Sequence, residues 1–414
     1  MKTANVDYRQ LALEASTAFS PTAPIDEQAL FAGRDHQIRQ VLDAVRQKGQ
    51  HAIIYGERGV GKTSLGNVLS AFLRIPTIIA PRVNCETQDT FDSVWQKVFE
   101  QVELQRARPS AGFQGPPNFE SLKSASLIPD RGNRGMTTED VRRLLTVLAQ
   151  DALPVVIIDE FDRLPEKPRR AFADAIKTLS DHAVGATVVV VGVADSVEQL
   201  IDEHESIERA LVQIPMPRMS KAEIEQIINK GLGRLGMSIE AEAMRRIVIL
   251  SQGLPHYAHL IGLHAARFAL DSSSLVVGDE TVDNAISKAI DGTQQSIRTL
   301  YKRATDSPRK ENLFAEVLLS CALAATDEMG FFAAQDVREP MQIITNKKYE
   351  IPSFSQHLND FCEQKKGNIL QKKGSKRKFR FRFKDPLMQP FVIMRGLRDG
   401  RLPAKLIDRM DQGS

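Results

Sequence analysis

Five short apolar runs punctuate the first half of the chain, and each breaks off into glycine or polar residues: His51 to Gly56, Ile75 to Cys85, Leu153 to Asp159, Thr187 to Gly192, and a last short run ending at Pro215. These runs are continuous and β-branched rather than alternating, the pattern of strands covered on both faces. Between them the apolar residues change period. Ile38, Val41, Leu42 and Val45 recur at helical spacing, as do Phe91, Val94, Val98 and Val102, and Thr137-Thr-Glu-Asp140 reads as the capped start of a helix reaching about Gln150. Strands alternating with helices predict an α/β fold with a five-stranded parallel sheet over residues 31–218.

The pattern changes at residue 219. From there to about 305 strand patterns cease and helices alternate with short breaks, the clearest being Ser251-Gln-Gly253-Leu-Pro255-His256-Tyr257, which predicts a helical lid domain. Residues 306–400 predict helices over Asn312–Ala325, Ala334–Ile344 and Ser353–Lys365, a short strand at Phe331-Phe332, and a hairpin turning at Gly374. In its second strand Phe379, Phe381 and Phe383 point one way and Lys378, Arg380, Arg382 and Lys384 the other. Three helices with a terminal β-hairpin predict a winged-helix domain. Residues 1–30, with Phe19-Ser-Pro-Thr-Ala-Pro-Ile-Asp26, lack periodicity and predict an extended arm. Residues 105–137, rich in glycine, proline and arginine, predict a long flexible insertion, and 401–414 a tail.

Composition changes little in this picture. At 414 residues the chain is long enough for two or three cores, and its residue usage is that of an ordinary soluble protein. The first residues lack an apolar signal core and no uncharged apolar run approaches membrane-spanning length, so a cytoplasmic location is expected. Three well-separated cysteines, Cys85, Cys321 and Cys362, suggest neither a disulfide framework nor a zinc site. Charge is more informative. The net charge is +3, yet residues 301–414 carry 22 Lys/Arg against 14 Asp/Glu. Between Lys365 and Lys384 there are ten basic residues and no acidic one, which favours a polyanion, namely duplex DNA met by Lys372, Lys373, Lys376, Arg377, Lys378, Arg380, Arg382 and Lys384. The alternative is a soluble, charge-protected edge strand.

The candidate chemistry lies where apolar runs end. After the first strand comes Gly56-Glu57-Arg58-Gly59-Val60-Gly61-Lys62-Thr63-Ser64, a Walker A loop between a strand and a helix. Gly59 and Gly61 allow successive N–H groups to converge on phosphate oxygens at a helix N-terminus; Lys62 would reach the β- and γ-phosphates and Thr63 would give its hydroxyl to Mg²⁺. The third strand ends in Asp159-Glu160, a Walker B pair in which Asp159 serves the Mg²⁺ shell and Glu160 orients the attacking water. Asp162 is the fallback base or a helix cap. Asp195, beyond the fourth strand, is placed to sense the γ-phosphate, and Arg209 stands just before the fifth. ATP with Mg²⁺ is the expected ligand.

In that order, and with a winged helix behind them, these motifs resemble an AAA+ P-loop ATPase, most closely the origin-recognition and cell-division-control initiator clade and its bacterial relatives. The resemblance implies a sheet in the order 5-1-4-3-2. It also implies that Gly33-Arg34-Asp35 closes over the adenine, that Asp195 is the first sensor, and that Arg209 is an arginine finger reaching a neighbouring subunit's ATP in a homo-oligomer. His256 stands at the second sensor, where many relatives carry arginine, which implies slow or partner-dependent hydrolysis. The leading expectation is an ATP-dependent switch that binds duplex DNA. Two others stand beside it: a STAND-like signalling NTPase whose winged helix is an internal clamp and whose partner is a protein, and a transposon target-selection ATPase.

Overall fold

The computed structural model describes residues 7–21, 32–108, 118–123, 135–201, 207, 209–308, 312–327, 329–375 and 378–402. Lys376, Arg377, much of the 105–137 insertion, residues 22–30 of the arm and most of the 401–414 tail lie outside the described residues. The chain enters with α1 (Tyr8–Ala18), started by Asp7, whose carboxylate accepts the N–H groups of Arg9 and Gln10. The expectation of an extended arm is therefore corrected. Ala15, Ala18 and Phe19 are buried, so tertiary packing of a small apolar face holds this helix.

A central parallel sheet follows. α2 (Asp35–Arg46) precedes β1 (His51–Gly56), and α3 (Lys62–Phe72) leads to β2 (Ile78–Ile79) and β3 (Arg82–Asn84). α4 (Phe91–Glu100), β4 (Glu103–Arg108), β5 (Asn118–Lys123) and α5 (Thr138–Leu148) separate these from β6 (Leu153–Asp159). Then come α6 (Glu166–Asp181), β7 (Thr187–Val193) and β8 (Leu211–Pro215). The sheet runs β8-β1-β7-β6, with β2 and β3 both paired to β6, all parallel. Its second strand is broken in two, at Ala80-Pro81, because proline has no N–H for the ladder. The insertion is likewise not all loop. β4 and β5 form an antiparallel ribbon, and the glycines and prolines that suggested a flexible loop cluster in the connection between these strands and in the stretch after them.

Successive sheet residues feed opposite layers. Ile53, Val156, Ile158, Val188 and Val190 pack with α4, α5 and α6, while Ala52, Ile54, Val155, Ile157, Val189 and Val191 join the other core. That second core is continuous with everything downstream. It takes in α7 (Lys221–Arg234), β9 (Ser238–Ile239), α8 (Ala241–Ser251), α9 (Pro255–Asp271), β10 (Val276–Val277), α10 (Asp279–Gly292) and α11 (Gln295–Thr305). The C-terminal unit also belongs to it: α12 (Phe314–Leu323), β11 (Phe332–Ala333), α13 (Arg338–Thr345), α14 (Ile351–Phe361), β12 (Leu370–Lys373), β13 (Arg380–Phe383) and α15 (Met388–Arg398). Strands β11-β13-β12 make an antiparallel sheet that buries Phe381 and Phe383. Among the described residues no helix is long and apolar enough to cross a membrane.

Candidate nucleotide site

A cavity of about 710 Å³ opens above the C-terminal edge of the sheet. Gly56 meets the Met216 carbonyl where a side chain would sit, and Gly59 (φ 88°) and Gly61 (φ 95°) take left-handed conformations that fold the loop around the start of α3. Lys62 curls back onto this loop, its Nζ donating to the carbonyls of Gly56 at 3.0 Å and Glu57 at 2.8 Å. Burial lowers its pKa to about 8, against the pull of Asp162, Asp159 and Glu57. An ammonium held this way is poised to exchange two carbonyls for phosphate oxygens. Arg58, Thr63 and Ser64 line the same cavity, whereas Val60 is buried beneath it.

The carboxylates expected at the strand ends part company. Asp159 is buried at the end of β6, where Arg82 donates to its Oδ2 at 2.6 Å and the N–H of Glu160 to its Oδ1 at 2.8 Å. Glu160 adopts a left-handed backbone (φ 55°), a strained state for a residue with a side chain, and is paired with Arg163 at 2.8 Å on the cavity wall. Asp162 accepts the N–H of Val193 at 2.7 Å, fastening the turn after β6 to the end of β7; it caps no helix, and α6 starts from Pro165 without a side-chain cap. Among the described residues no group of three or more His, Cys, Asp or Glu could hold a metal ion.

Asp195 departs from expectation. Both its oxygens are held by the Arg382 guanidinium of β13, at 2.6 and 2.7 Å, so its carboxylate faces the C-terminal unit rather than a phosphate. Arg380 is likewise paired, with Asp327 at 2.6 Å, so two of the arginines expected to meet DNA are engaged within the chain. The alternation of β13 was legible, but the acids facing its basic side come from elements remote in sequence. His256 also differs: its Nδ1 bonds the Pro21 carbonyl at 2.7 Å, and burial lowers its pKa, so it is a neutral tie to the N-terminal segment. Arg209 is exposed just before β8, where its carbonyl accepts Gln50. That is the sheet edge opposite the glycine loop, roughly 16 Å away along a five-residue strand.

Gly33 and Arg34 close the far end. Their N–H groups donate to Gln226 Oε1 and Glu223 Oε1 of α7, both at 3.2 Å, and Arg34, in a left-handed conformation ahead of Asp35, reaches the carbonyls of Val60 (3.3 Å) and Pro217 (2.5 Å). A second set of contacts, from the C-terminal unit onto the glycine loop, follows no local sequence pattern. Leu387 packs where a side chain on Gly59 would be, 3.2 Å from that position, and its carbonyl accepts the Tyr257 hydroxyl at 2.6 Å. Arg218 pairs with Glu57 and also donates to Gln389 at 2.7 Å, while Arg58 lies 4.0 Å from Asp385. Arg218 and Leu387 carry no local motif; only their three-dimensional neighbours reveal them.

A family model described as Novel STAND NTPase 1 matches residues 23–258, more than half of the chain. The chain belongs to this family. The STAND NTPase match covers the whole phosphate loop, both strand-end carboxylates and the Gly253-Leu-Pro255 break. A search of the curated proteins finds no match. Among solved structures, the Walker-type ATPase of Pyrococcus abyssi is similar at 14% identity, covering 90% of this chain and 98% of that one with a TM-score of 0.51, and so shares the fold. Cdc6p from Pyrobaculum aerophilum matches at 16% identity over 95% and 98% of the two chains, with a TM-score of 0.45. The Aeropyrum pernix ORC1 protein in complex with DNA matches at 15% over 97% and 98%, with a TM-score of 0.43. The α/β chain is a P-loop NTPase and shares the fold of that Walker-type ATPase.

Proposed function

We propose that this STAND NTPase is an ATP-operated switch in which the C-terminal unit, a winged helix over residues 306–400, clamps its own nucleotide loop. In this reading 31–218 is the nucleotide domain and 219–305 its lid. Lys62 would hold the β- and γ-phosphates; Thr63 and Asp159 would hold Mg²⁺, which supplies charge neutralisation at the phosphates. Glu160 would orient water, and release from Arg163 would free it. The observation that carries the reading is the Asp195–Arg382 pair, seconded by Leu387 against Gly59. A bidentate, mostly buried pair of this kind is worth about 2 kcal/mol, enough to bias a two-state element. Its test is nucleotide exchange, followed with a fluorescent ATP analogue. Arg382→Ala and Asp195→Asn should each speed exchange about tenfold, and unchanged rates in both would overturn the clamp.

A second reading is supported by the exposed Lys373, Lys378 and Lys384, with Lys372 over the Phe379 ring, which leave a basic face for duplex DNA even with Arg380 and Arg382 engaged. Binding of a duplex that weakens steeply between 50 and 200 mM salt supports it, and salt-insensitive or absent binding removes it. A homo-oligomer completed by Arg209 is tested by mixing Arg209→Ala with Lys62→Ala chains. Recovered ATPase activity supports a finger acting between subunits, and no recovery at any ratio counts against it.

A further inference from the structure

The end of the cavity away from Lys62 is lined by Pro21, Ala32, Arg34, Ile227 and His259. Two of these side chains, Arg34 and His259, are buried and polar. His259 lies one turn beyond Pro255 on α9, about 6 Å farther along the helix from the glycine loop, a displacement that suits a base when phosphates sit at the loop. It is 4% exposed, and neither ring nitrogen has a hydrogen-bond partner. Such a buried, unsatisfied pair of polar atoms is costly in a protein interior and is retained where a ligand completes it. The ring is also fixed in place. Phe19 meets it edge-on at 6.2 Å between centroids, and Phe19 is itself wedged against Gly231 and Gly262, where any side chain would collide with its ring.

We propose that His259 reads the base of the bound nucleotide, accepting the 6-amino group of an adenine through a ring nitrogen. The proposal rests on the nucleotide reading of the cavity and adds its base selectivity. Burial lowers the His259 pKa to about 4, so near neutral pH the ring keeps one lone pair for an amino group. Arg34, the other buried polar side chain at this end, has its Nε unpartnered and can only donate. A donor and an acceptor lining the same cavity match adenine, which presents a ring-nitrogen acceptor next to its amino donor. Guanine and hypoxanthine carry a proton on that ring nitrogen and an oxygen in place of the amino group, so there the Arg34 donor would face a donor.

The test compares ATP, inosine triphosphate and GTP on the full chain by calorimetry. The wild type should bind ATP about tenfold more tightly than inosine triphosphate. His259→Phe keeps the ring against Phe19 and removes both nitrogens; it should lower ATP affinity about tenfold, to the inosine triphosphate level, while leaving inosine triphosphate itself within twofold. His259→Gln, which restores an acceptor, should recover part of the preference. Equal losses for both nucleotides in His259→Phe, or unchanged ATP affinity, would overturn the proposal and leave the nucleotide reading intact; in the second case the ring nitrogens are met by water. If the wild type binds none of the three, the nucleotide reading itself falls.

Discussion

Two carboxylates stand at the ends of neighbouring parallel strands, Asp159 on β6 and Asp195 just past β7, and an arginine neutralises each. Their partners differ in kind. Arg82 opens β3, which pairs directly with β6, so the Asp159 bond is internal to the sheet and persists whatever the C-terminal unit does. Arg382 comes from β13, 187 residues away, so the Asp195 bond exists only while that unit is docked. In the proposed switch the same chemistry would therefore build a fixed floor for the site at one strand and a removable latch at the next, so that stability and switching separate along one edge of one sheet.

The fixed side is tested at the residues around Asp159. Glu160→Gln removes the proposed base without disturbing the loop, so turnover should fall by about 10²–10⁴ while ATP affinity stays within roughly threefold. Steady-state phosphate release beside equilibrium binding checks this, and near-normal turnover would move the base to another group. Lys62→Ala should cost about 100-fold in ATP affinity, because the phosphates lose a charge-assisted donor. Circular dichroism should report an unchanged fold, since Lys62 meets only carbonyls of its own loop.

The latch side predicts a smaller, selective effect. Arg382→Ala should speed nucleotide exchange about tenfold and expose the 306–400 unit to limited proteolysis, with ATP hydrolysis chemistry retained. A charge exchange, Asp195→Arg with Arg382→Asp, should return exchange to within threefold of wild type if direct pairing is what matters. Arg82→Ala is the contrasting variant: it should alter ATP affinity and leave proteolysis of the C-terminal unit as in wild type. If both arginine variants released the unit equally, the distinction between floor and latch would disappear.

The strand-and-helix alternation, the glycine loop and the Asp159-Glu160 strand end were legible because each is a local pattern with a local cause. Gly59 and Gly61 need positive φ, and a strand covered on both faces needs a continuous apolar run. The helix at Tyr8–Ala18 was not legible, since its apolar face, from Tyr8 and Leu11 to Ala15 and Ala18, is narrow and gains stability from the lid helix α9. The partners of Asp195, Glu57 and His256 were hidden for a different reason. Arg382, Arg218 and the Pro21 carbonyl lie 187, 161 and 235 residues away, and no periodicity carries information over such separations. His259 fell between these cases: a histidine on an apolar helix face reads as core until its nitrogens are found without partners.

Acid is the wrong tool for opening the latch, and His51 says why. It is fully buried at the start of β1, and its Nδ1 accepts the Val188 N–H of β7 at 3.0 Å, so the ring must stay neutral to hold two strands together. Burial lowers its pKa to about 4, as it does for His259, against a usual value near 6.5 in the unfolded chain. Between pH 6.5 and 4 the unfolded state therefore binds the extra proton, and stability rises with pH across that window and is lost as pH falls through it. For His51 the full effect is about 3 kcal/mol. The thermal midpoint of the wild type should drop by several degrees from pH 7 to pH 5. In His51→Gln, whose amide oxygen can still accept the Val188 N–H, the drop should shrink by a few degrees. An equal drop in both proteins would place the acid sensitivity elsewhere, with the carboxylates at the sheet edge the next groups to test.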